Sequence, residues 1–335
     1  MRQLIKISLL TGLLMTQPAC AHSPKTQAEI RTFATEMAQK HDFSADEVEK
    51  ILSDTVFRDD IIAAITRPAE AKPWHQYRPI FLKPDRIEGG VKFWQENEIL
   101  LESVSRTYGV PPEIIVAIIG VETRYGKFTG RYRIIDSLTT LAFGYPKRAA
   151  FFRSELEQFL LLSREESVDV QQAKGSYAGA MGKPQFISSS YRHYAVDHDG
   201  DGKRDLFESN ADIIASVANY FKVHGWRAGE PITLQAKPNG QSGLQGYVDA
   251  GMKPSVSVKS LLGSGLRPIN PGEAPDSNAL SSLIKLDAGE QDEYWLGLHN
   301  FYVITRYNHS NLYAMAAYQL SREIAAAKRA ADAKP

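Results

Sequence analysis

One carboxylic acid interrupts the most apolar helical segment of this sequence. Residues 111–130, PPEIIVAIIGVETRYGKFTG, begin with two prolines that suit a first helical turn. Ile115, Ile119 and Glu122 recur at helical spacing, so the carboxyl group continues an apolar stripe. Apolar neighbours and the negative end of the helix dipole disfavour the anion, which predicts a raised pKa. Glu122 is therefore a candidate proton donor of the kind that cleaves glycosidic bonds; the alternative is a structural ion pair with Arg124 or another arginine.

A second group of chemically capable residues forms an acidic loop. Residues 197–208, DHDGDGKRDLFE, match the calcium-loop pattern D-x-D-x-D-G-x5-E at every specified position. The acids repel one another unless a cation is present. The predicted Ca²⁺ ligands are Asp197, Asp199, Asp201, the carbonyl of Lys203, and Glu208, with Asp212 as a rival for the closing position. With one such loop in the sequence, a structural calcium site is favoured over a calcium sensor, although Arg204 stands where such loops usually carry an apolar residue.

The surrounding pattern predicts a mainly α protein with a small β-rich insertion. Helical spacing indicates helices within residues 27–66, 90–108, 112–126, 137–143, 148–163, 211–224 and 311–328, and Gly126 suits the end of the third of these. Residues 68–84 contain four prolines and are predicted to be an extended connection that displays Trp74, Tyr77 and Phe81. Residues 231–293 are rich in Gly, Ser and Pro with short alternating apolar runs, which is typical of β structure.

Composition limits the possible functions of the chain. Its 335 residues suggest two or three domains, and 39 Lys+Arg against 39 Asp+Glu leave no basic field, which argues against general nucleic-acid binding. Residues 1–21 have the charges and the short apolar run of an export signal. Two processing routes stay open: cleavage after a small-x-small site gives a soluble exported protein, and lipidation of Cys20 gives an anchored one. The chain has one cysteine, so the predicted protein does not rely on disulfides.

Several separated motifs together resemble the bacterial lytic murein transglycosylase B family. They are VAIIGVETRYG at 116–126, GSYAGAMGKPQF at 175–186, the acidic loop, SVANYFKVHGW at 216–226 and FYVITRYNHS at 301–310. The resemblance implies a lysozyme-like catalytic core at 109–230 containing the EF-hand-like loop 197–212, an N-terminal helical domain at 22–108, a small β-rich domain at 231–293 and a return to the core at 294–335. It also implies a periplasmic, monomeric enzyme.

The same resemblance implies an activity and a set of site residues. Family members cleave the MurNAc-GlcNAc β-1,4 bond of peptidoglycan without water and leave 1,6-anhydro-MurNAc ends. Glu122 matches the catalytic acid/base of the family. Residues that match the glycan groove are Ser176, Gln185, Tyr220, Tyr307, Asn308 and Tyr313, and those that match contacts to glycan or stem peptide are Tyr77, Lys147 and Arg148. Lys183-Pro184 departs from the usual Gly/Tyr-rich pair. Cell-wall synthesis or remodelling proteins are possible partners.

Two other functions stay open at this point. A hydrolytic muramidase needs a second carboxylate to assist water attack, and Asp136 is the candidate, although its place before SLTTLAF also predicts a helix N-cap. A noncatalytic, calcium-stabilised glycan-binding protein would keep the tyrosines. The alternative role for each tyrosine is structural: its ring packs in the core and its hydroxyl is hydrogen-bonded.

Overall fold

The computed structural model describes residues 23–67, 72–240, 243–270, 272 and 275–333. Both the predicted signal at 1–21 and Cys20 lie outside these residues. The chain divides into two compact units, with the boundary between Phe57 and Arg58. Most described residues are helical and the strands are few, which confirms the mainly α class with a small sheet.

In the first unit, the described residues 23–57 form two helices, α1 (Pro24–His41) and α2 (Ala45–Ser53). Ser44 caps α2, because its hydroxyl accepts a hydrogen bond from the backbone N–H of Glu47 at 3.3 Å. This is half of the capping box that the Ser-x-x-Glu spacing indicates. Val48 and Leu52 on α2 are fully buried.

The second unit holds the remaining elements, and its helices are α3 (Asp59–Ile65), α4 (Trp74–Phe81), α5 (Pro84–Glu96), α6 (Glu98–Tyr108), α7 (Pro112–Thr123), α8 (Ile134–Gly144), α9 (Ala149–Glu166), α10 (Ser188–Tyr194), α11 (Asn210–Val223), α12 (Gln245–Asp249), α13 (Val258–Gly263), α14 (His299–Tyr307) and α15 (Asn311–Asp332). A short 3-10 turn, Pro146–Arg148, precedes α9. The predicted boundaries at 108, 230 and 293 do not coincide with the division at 57 and remain predictions about finer organisation.

The prediction of an extended connection at residues 68–84 is wrong where the structure describes it. Residues 74–81 form α4, with Pro79 inside the helix. An internal proline removes one backbone hydrogen bond and normally weakens a helix. Here Trp74 and Tyr77, one turn apart, are 1% and 7% exposed. Burial of two large aromatic side chains offsets that loss, at roughly 25 cal/mol per Å² of apolar surface.

Helix α7 is the central element of the second unit. It packs against α5, α6, α11 and α15, and nine of its residues are buried. A helix that is apolar on all sides belongs inside a core, and α7 fits that rule. Among the described residues, no single helix has the length and hydropathy to span a bilayer; α6 and α7 pass that test only as a pair, and they meet at 111°.

The β-rich segment forms one antiparallel sheet of five strands. Its order is β4-β6-β7-β3-β5, and a separate two-stranded sheet pairs β1 with β2. The strands are β1 (Tyr132–Arg133), β2 (Lys174–Gly175), β3 (Thr233–Pro238), β4 (Val256–Ser257), β5 (Leu266–Pro268), β6 (Leu280–Asp287) and β7 (Asp292–Gly297). On one face Leu234, Leu283 and Leu296 join a small apolar cluster closed by α12 and α13. This second core explains how a Gly-rich segment folds.

Candidate active site

A sharp backbone bend after α7 fixes the position of Glu122. The helix ends at Thr123, and then Arg124, Tyr125 and Gly126 all have positive φ angles of 50°, 61° and 89°. This conformation is uncommon for residues other than glycine and persists only where surrounding contacts support it. The hydroxyl of Tyr125 donates to the carbonyl of Arg86 at 2.8 Å and supplies such a contact. The last helical turn is thereby held in place, three residues earlier than the predicted end near Gly126.

Close backbone approach also requires a small residue on α7. A Cβ atom at Gly120 would lie 2.5 Å from the Tyr125 hydroxyl, so alanine does not fit there without displacing that ring. The buried guanidinium of Arg86 donates to the carbonyls of Gly120 and Val121 at 3.0 and 3.4 Å. These bonds satisfy carbonyls near the C-terminal end of the helix that carries Glu122.

Glu122 is partly buried and bonded to a tyrosine from another helix. The Tyr313 hydroxyl donates to Oε1 of Glu122 at 2.6 Å. Burial raises the pKa of Glu122 to about 7, and the Tyr313 hydrogen bond acts in the opposite direction. Glu122 takes part in no ion pair among the described residues, and the Arg124 guanidinium lies 3.8 Å from Asp85. Glu122 therefore keeps a substantial protonated fraction near neutral pH.

Three of the predicted tyrosines lie next to one another beside the acid. Tyr313 is stacked on Tyr307, with ring centroids 6.4 Å apart and planes 8° apart. Tyr307 in turn lies 4.8 Å from Tyr220. Each hydroxyl is used: Tyr307 donates to the carbonyl of Pro184 at 2.7 Å and Tyr220 to that of Arg306 at 2.5 Å. The structure thus brings Tyr220, Tyr307 and Tyr313, which the resemblance assigns to the glycan groove, together beside Glu122.

Phe186 is an aromatic member of this cluster that the sequence reasoning missed. Its ring centroid lies 5.6 Å from Tyr220 and 5.8 Å from Tyr307. The residue ends the motif 175–186, one position after Gln185, so the signal was present. Phe186 is 3% exposed and packs against Tyr220 and Tyr307.

Ser176 and Gln185 lie in the tight loops between β2 and α10. The Ser176 hydroxyl accepts bonds from the N–H groups of Ala178 and Ala180 at 3.2 and 3.1 Å. Gln185 has a φ of 54° and donates through Nε2 to the carbonyls of Thr129 and Gly182 at 3.0 and 2.9 Å. Both side chains form hydrogen bonds that hold the loop. Gln185 uses its amide nitrogen for this, so its amide oxygen can accept a hydrogen bond from a ligand.

The remaining predicted glycan contacts occupy different settings. Tyr77 is buried on α4, and its hydroxyl is among the groups that raise the pKa of Tyr313, after burial and the Glu122 charge. Asn308 is exposed directly after α14. Lys147 and Arg148 are exposed on the 3-10 turn, and the Arg148 guanidinium lies over the Phe151 ring at 4.3 Å. Their glycan contacts remain predictions.

Asp136 does not have the environment of a second catalytic carboxylate. It lies inside α8, not at its N-cap, and is 5% exposed. Arg133 binds both of its oxygens, at 2.6 and 2.8 Å. A bidentate guanidinium pair occupies the lone pairs that a water-activating base needs. The N-cap prediction is wrong, and Asp136 is a structural partner of Arg133.

The acidic loop gathers three carboxylates, and the loop composition suits a hard cation. Ligand oxygens of Asp197, Asp199 and Asp212 all lie within 4.8 Å of one another. The group contains Asp212 but not Glu208, which is exposed. Asp212 is fully buried, and its oxygens accept the N–H groups of His198 and Asp205 at 2.7 and 2.8 Å. The geometry favours Asp212 over Glu208 as the closing residue.

Backbone turns organise the rest of this loop. Asp197 accepts from the N–H groups of Gly200 and Gly202, at 2.7 and 2.9 Å, and both glycines have positive φ. Asp201 accepts from the N–H of Lys203 at 2.8 Å and is not in the converging group. Asp201 and the Lys203 carbonyl therefore remain predicted ligands only.

Arg204, the departure from the usual loop pattern, is held by a partly buried ion pair. Its backbone N–H and its Nε donate to Glu166 at 2.8 and 2.6 Å. Glu166 closes α9, and its side chain is 8% exposed. Arg204 thus connects the loop to α9 through hydrogen bonds and charge. An apolar residue at this position would make the connection by packing.

Lys183 connects the acidic loop to the end of α7. Its Cε atom lies 3.0 Å from the position that a Cβ atom at Gly126 would take. Its amine donates to Asn210 Oδ1 at 2.9 Å. Its backbone carbonyl accepts from the Thr123 hydroxyl at 2.9 Å. Its backbone N–H donates to the Leu206 carbonyl at 2.9 Å. The departure Lys183-Pro184 is therefore a connection between the two predicted sites, which the sequence did not indicate.

The helical core, with its partly buried glutamic acid at the end of a central helix, defines a lysozyme-like protein. Comparison with family models finds a match to the Transglycosylase SLT domain over residues 25–322. The chain belongs to this family. It is 44% identical over 319 residues to membrane-bound lytic murein transglycosylase B of Escherichia coli K12, covering 92% of this chain and 84% of that protein.

Solved structures give the same result. Soluble lytic transglycosylase SltB1 from Pseudomonas aeruginosa is 46% identical, with a TM-score of 0.83 over 90% of this chain and 99% of that one. Escherichia coli lytic transglycosylase Slt35 in complex with calcium is 43% identical, with a TM-score of 0.81 over 91% of this chain and 94% of that one. The resemblance predicted from the separated motifs is confirmed.

Proposed function

We propose that this protein is a peptidoglycan lytic transglycosylase with Glu122 as its single catalytic acid and base. It cleaves the β-1,4 bond between MurNAc and GlcNAc and leaves a 1,6-anhydro-MurNAc end. The observation that carries the proposal is the Glu122–Tyr313 pair: a carboxyl group with its pKa raised to about 7, oriented by a 2.6 Å hydrogen bond. An acid with a pKa near the working pH is the most effective proton donor.

The reaction needs one carboxyl group acting twice. Protonated Glu122 gives its proton to the glycosidic oxygen, and the bond between that oxygen and C1 of MurNAc breaks. The N-acetyl group of the substrate stabilises the electron-poor C1. The Glu122 carboxylate then takes the proton of the C6 hydroxyl while O6 bonds to C1, which closes the anhydro ring and restores the protonated acid. No water is consumed.

The setting of Glu122 supports intramolecular attack over hydrolysis. The C6 hydroxyl is already attached to the reacting sugar, so its effective concentration exceeds that of an ordered water. A water-activating carboxylate is the usual second group of a glycosidase. Asp136, the candidate for that task, has both oxygens bound by Arg133. This favours the transglycosylase over the hydrolytic muramidase.

The tyrosine cluster lies beside the acid, with Tyr307 partly exposed and with Tyr220 and Tyr313 only 7% and 3% exposed. Tyr220, Tyr307 and Tyr313 have their hydroxyls engaged, so their positions are fixed before a ligand arrives. Fixed aromatic faces lose little entropy when they contact a ring. We assign these three to glycan binding, together with Ser176, Gln185 and Asn308. Tyr77, Lys147 and Arg148 complete the proposed contacts to glycan or stem peptide.

We also propose one structural Ca²⁺ at the acidic loop, held by Asp197, Asp199 and Asp212 and completed by Asp201 and loop carbonyls such as that of Lys203. The support is the convergence of three carboxylates within 4.8 Å and the similar Slt35, which was solved in complex with calcium. The ion offsets carboxylate repulsion and stabilises the loop.

We place the protein in the periplasm, either soluble or anchored to the outer membrane through lipidated Cys20. The support is the signal-like segment at 1–21 and the similarity to a membrane-bound relative. Its substrate partner is the glycan strand, and cell-wall synthesis or remodelling proteins are candidate protein partners.

Product analysis tests the proposed function. Purified peptidoglycan is digested with the parent protein, with Glu122→Gln, and with Glu113→Gln as a matched control at the other end of α7. Mass spectrometry should find anhydro-MurNAc ends with the parent and the control and none with Glu122→Gln. Reducing MurNAc ends would show hydrolysis, and equal solubilisation by Glu122→Gln would refute the role of the acid. Binding of glycan with no cleavage by the parent would identify a noncatalytic binding protein.

A further inference from the structure

A polar pocket lies between the five-stranded sheet, α4 and α15. Its volume is about 440 Å³, and it is lined by Arg78, Thr233, Gln235, Trp295, Tyr318 and Arg322 among others. None of the residues assigned to the Glu122 site belongs to this lining. The pocket therefore needs an explanation of its own.

Strand alternation places polar side chains on this face of the sheet. Leu234 and Leu296 point into the small apolar core, so their strand neighbours point the other way. Gln235 and Trp295 are directly opposite each other in the register of β3 and β7. Thr233 lies two residues from Gln235 and therefore on the same face. On β3 and β7 this face carries Thr233, Gln235 and Trp295, and the buried Ile284 of β6 lies next to Trp295 on the same face.

Two aromatic rings in the pocket are held in fixed positions. The Trp295 indole N–H donates to Oε2 of Glu293 at 3.1 Å. The ring centroids of Trp295 and Tyr318 are 6.4 Å apart, with the planes at 79°. An edge-to-face pair with one ring hydrogen-bonded leaves ring surface available for a ligand.

The polar groups around the rings are balanced in charge. The lining contains Arg78 and Arg322 together with Glu293 and Glu323, so the formal charges cancel. The Nε of Arg78 donates a hydrogen bond to the neutral amide of Gln319, at 2.7 Å from its Oε1. A balanced set of guanidinium, amide and carboxylate groups suits a neutral ligand rich in hydroxyl and amide groups.

One buried hydroxyl in the lining is unsatisfied. Thr233 Oγ1 has no hydrogen-bond partner among the residues that the structure describes, although it is shielded from solvent. A buried polar atom without a partner costs about 1 to 3 kcal/mol. Rotation of the Thr233 side chain towards the pocket would let a ligand hydroxyl or amide satisfy it.

The pocket faces away from the catalytic acid. Side chains on a helix turn by about 100° per residue, so Tyr318 and Arg322 lie on roughly the opposite side of α15 from Tyr313. Tyr313 is the residue that contacts Glu122. A ligand in this pocket is therefore bound at a distance from the bond that is cleaved.

We propose that this pocket is a second saccharide site, which holds a neutral N-acetylhexosamine unit of the glycan away from the catalytic centre. The inference rests on the proposed action on peptidoglycan, since that is the saccharide the protein would meet. The ring stacks on Trp295, and its hydroxyl and acetamido groups bond to Gln235, Thr233 and Arg322. Such a site retains the enzyme on a long strand between cleavage events.

Binding of chitotetraose to the full chain carrying Glu122→Gln tests the site without cleavage. Tryptophan side chains are labelled with ¹⁵N, and Trp295→Phe identifies the Trp295 indole signal. We expect that signal to shift on titration. Trp94→Phe, a change outside the pocket, is the matched control and should leave the shift intact. An unmoved Trp295 signal, while the protein still binds the sugar at the Glu122 site, overturns the second site and leaves the proposed function standing.

Two variants at exposed arginines of α15 provide a second test of the site. Arg322→Ala should weaken the binding reported by Trp295 by about tenfold and raise KM for long glycan strands, with turnover of a short soluble fragment unchanged. Arg329→Ala, on the same helix and outside the lining, should do neither. Equal behaviour of the two arginine variants refutes the proposal. A shift of the Trp295 signal with a free stem pentapeptide but not with chitotetraose also refutes it, in favour of a peptide site.

Discussion

The hydroxyl of Tyr313, on α15, donates a 2.6 Å hydrogen bond to Oε1 of Glu122, at the end of α7. Two opposing effects meet at this carboxyl group. Burial raises its pKa, and the tyrosine bond stabilises the anion and lowers it. The balance, about 7, suits a group that must give up a proton and then take one back. Tyr313 thus adjusts the acid as well as orienting it.

Replacing Tyr313 by phenylalanine should move the alkaline limb of the pH–rate profile to higher pH. The variant loses the bond that favours the carboxylate, so the pKa of Glu122 rises above about 7. The maximal rate should still fall, by about tenfold or more, because the acid is no longer oriented. The profile of kcat against pH on a soluble glycan measures both effects.

Tyr220→Phe is the matched control for this prediction. Its hydroxyl bonds to the Arg306 carbonyl, not to Glu122. The variant can change KM, but its alkaline limb should coincide with that of the parent. An unshifted limb in Tyr313→Phe would contradict the account of the pair.

Glu122→Gln should be more stable than the parent at high pH and equally stable at low pH. The folded-state pKa of about 7 exceeds the ordinary value of 4.5, so the folded protein binds this proton more tightly than the unfolded chain does. The resulting stability is complete below 4.5 and is lost as pH rises to about 7. The expected gain for the variant is about 3 kcal/mol near pH 8.

Urea unfolding of both proteins between about pH 4 and pH 8 measures this difference. The low-pH value is the internal control, because the parent acid is then protonated in both states. A gain that does not change with pH would mean that packing, not the buried charge, distinguishes the two proteins.

The sequence predicted the catalytic acid better than it predicted the elements that surround it. Glu122 could be identified because an acid at the i+7 position of an apolar stripe is visible in one helix. Asp212 could not be separated from Glu208, because the choice depends on how α11 enters the loop in space. The helix at residues 74–81 was missed for a similar reason: Pro79 argues against a helix locally, and burial of Trp74 outweighs it only in the folded protein.

Chelation of calcium should lower the melting temperature, and the size of the effect should depend on the three converging carboxylates. We expect Asp197→Asn to remove most of the calcium-dependent stabilisation, because one of three converging carboxylates is lost. Glu208→Gln, at an exposed position outside that group, should leave it nearly intact. Melting curves with calcium and with excess chelator measure the two differences.

A melting temperature of the parent that does not respond to complete chelation would contradict a calcium site. A loss in Glu208→Gln as large as that in Asp197→Asn would instead make Glu208 a ligand. Specific activity per folded molecule should change less than stability, since the loop residues do not contact Glu122.

Lys183→Met should disconnect the acidic loop from the end of α7 while keeping the hydrocarbon beside Gly126. The amine of Lys183 donates to Asn210 at 2.9 Å, and the next residue, Pro184, holds the Tyr307 hydroxyl at 2.7 Å. Loss of this charged bond should reduce stability by about 1 to 2 kcal/mol and lower kcat/KM several-fold, because Tyr307 stacks on the tyrosine that orients the acid. Lys174→Met, the same change at an exposed position on β2, should alter neither quantity. If unfolding and glycan-cleavage measurements give equal values for the two lysine variants, the loop does not support the tyrosine cluster through Lys183.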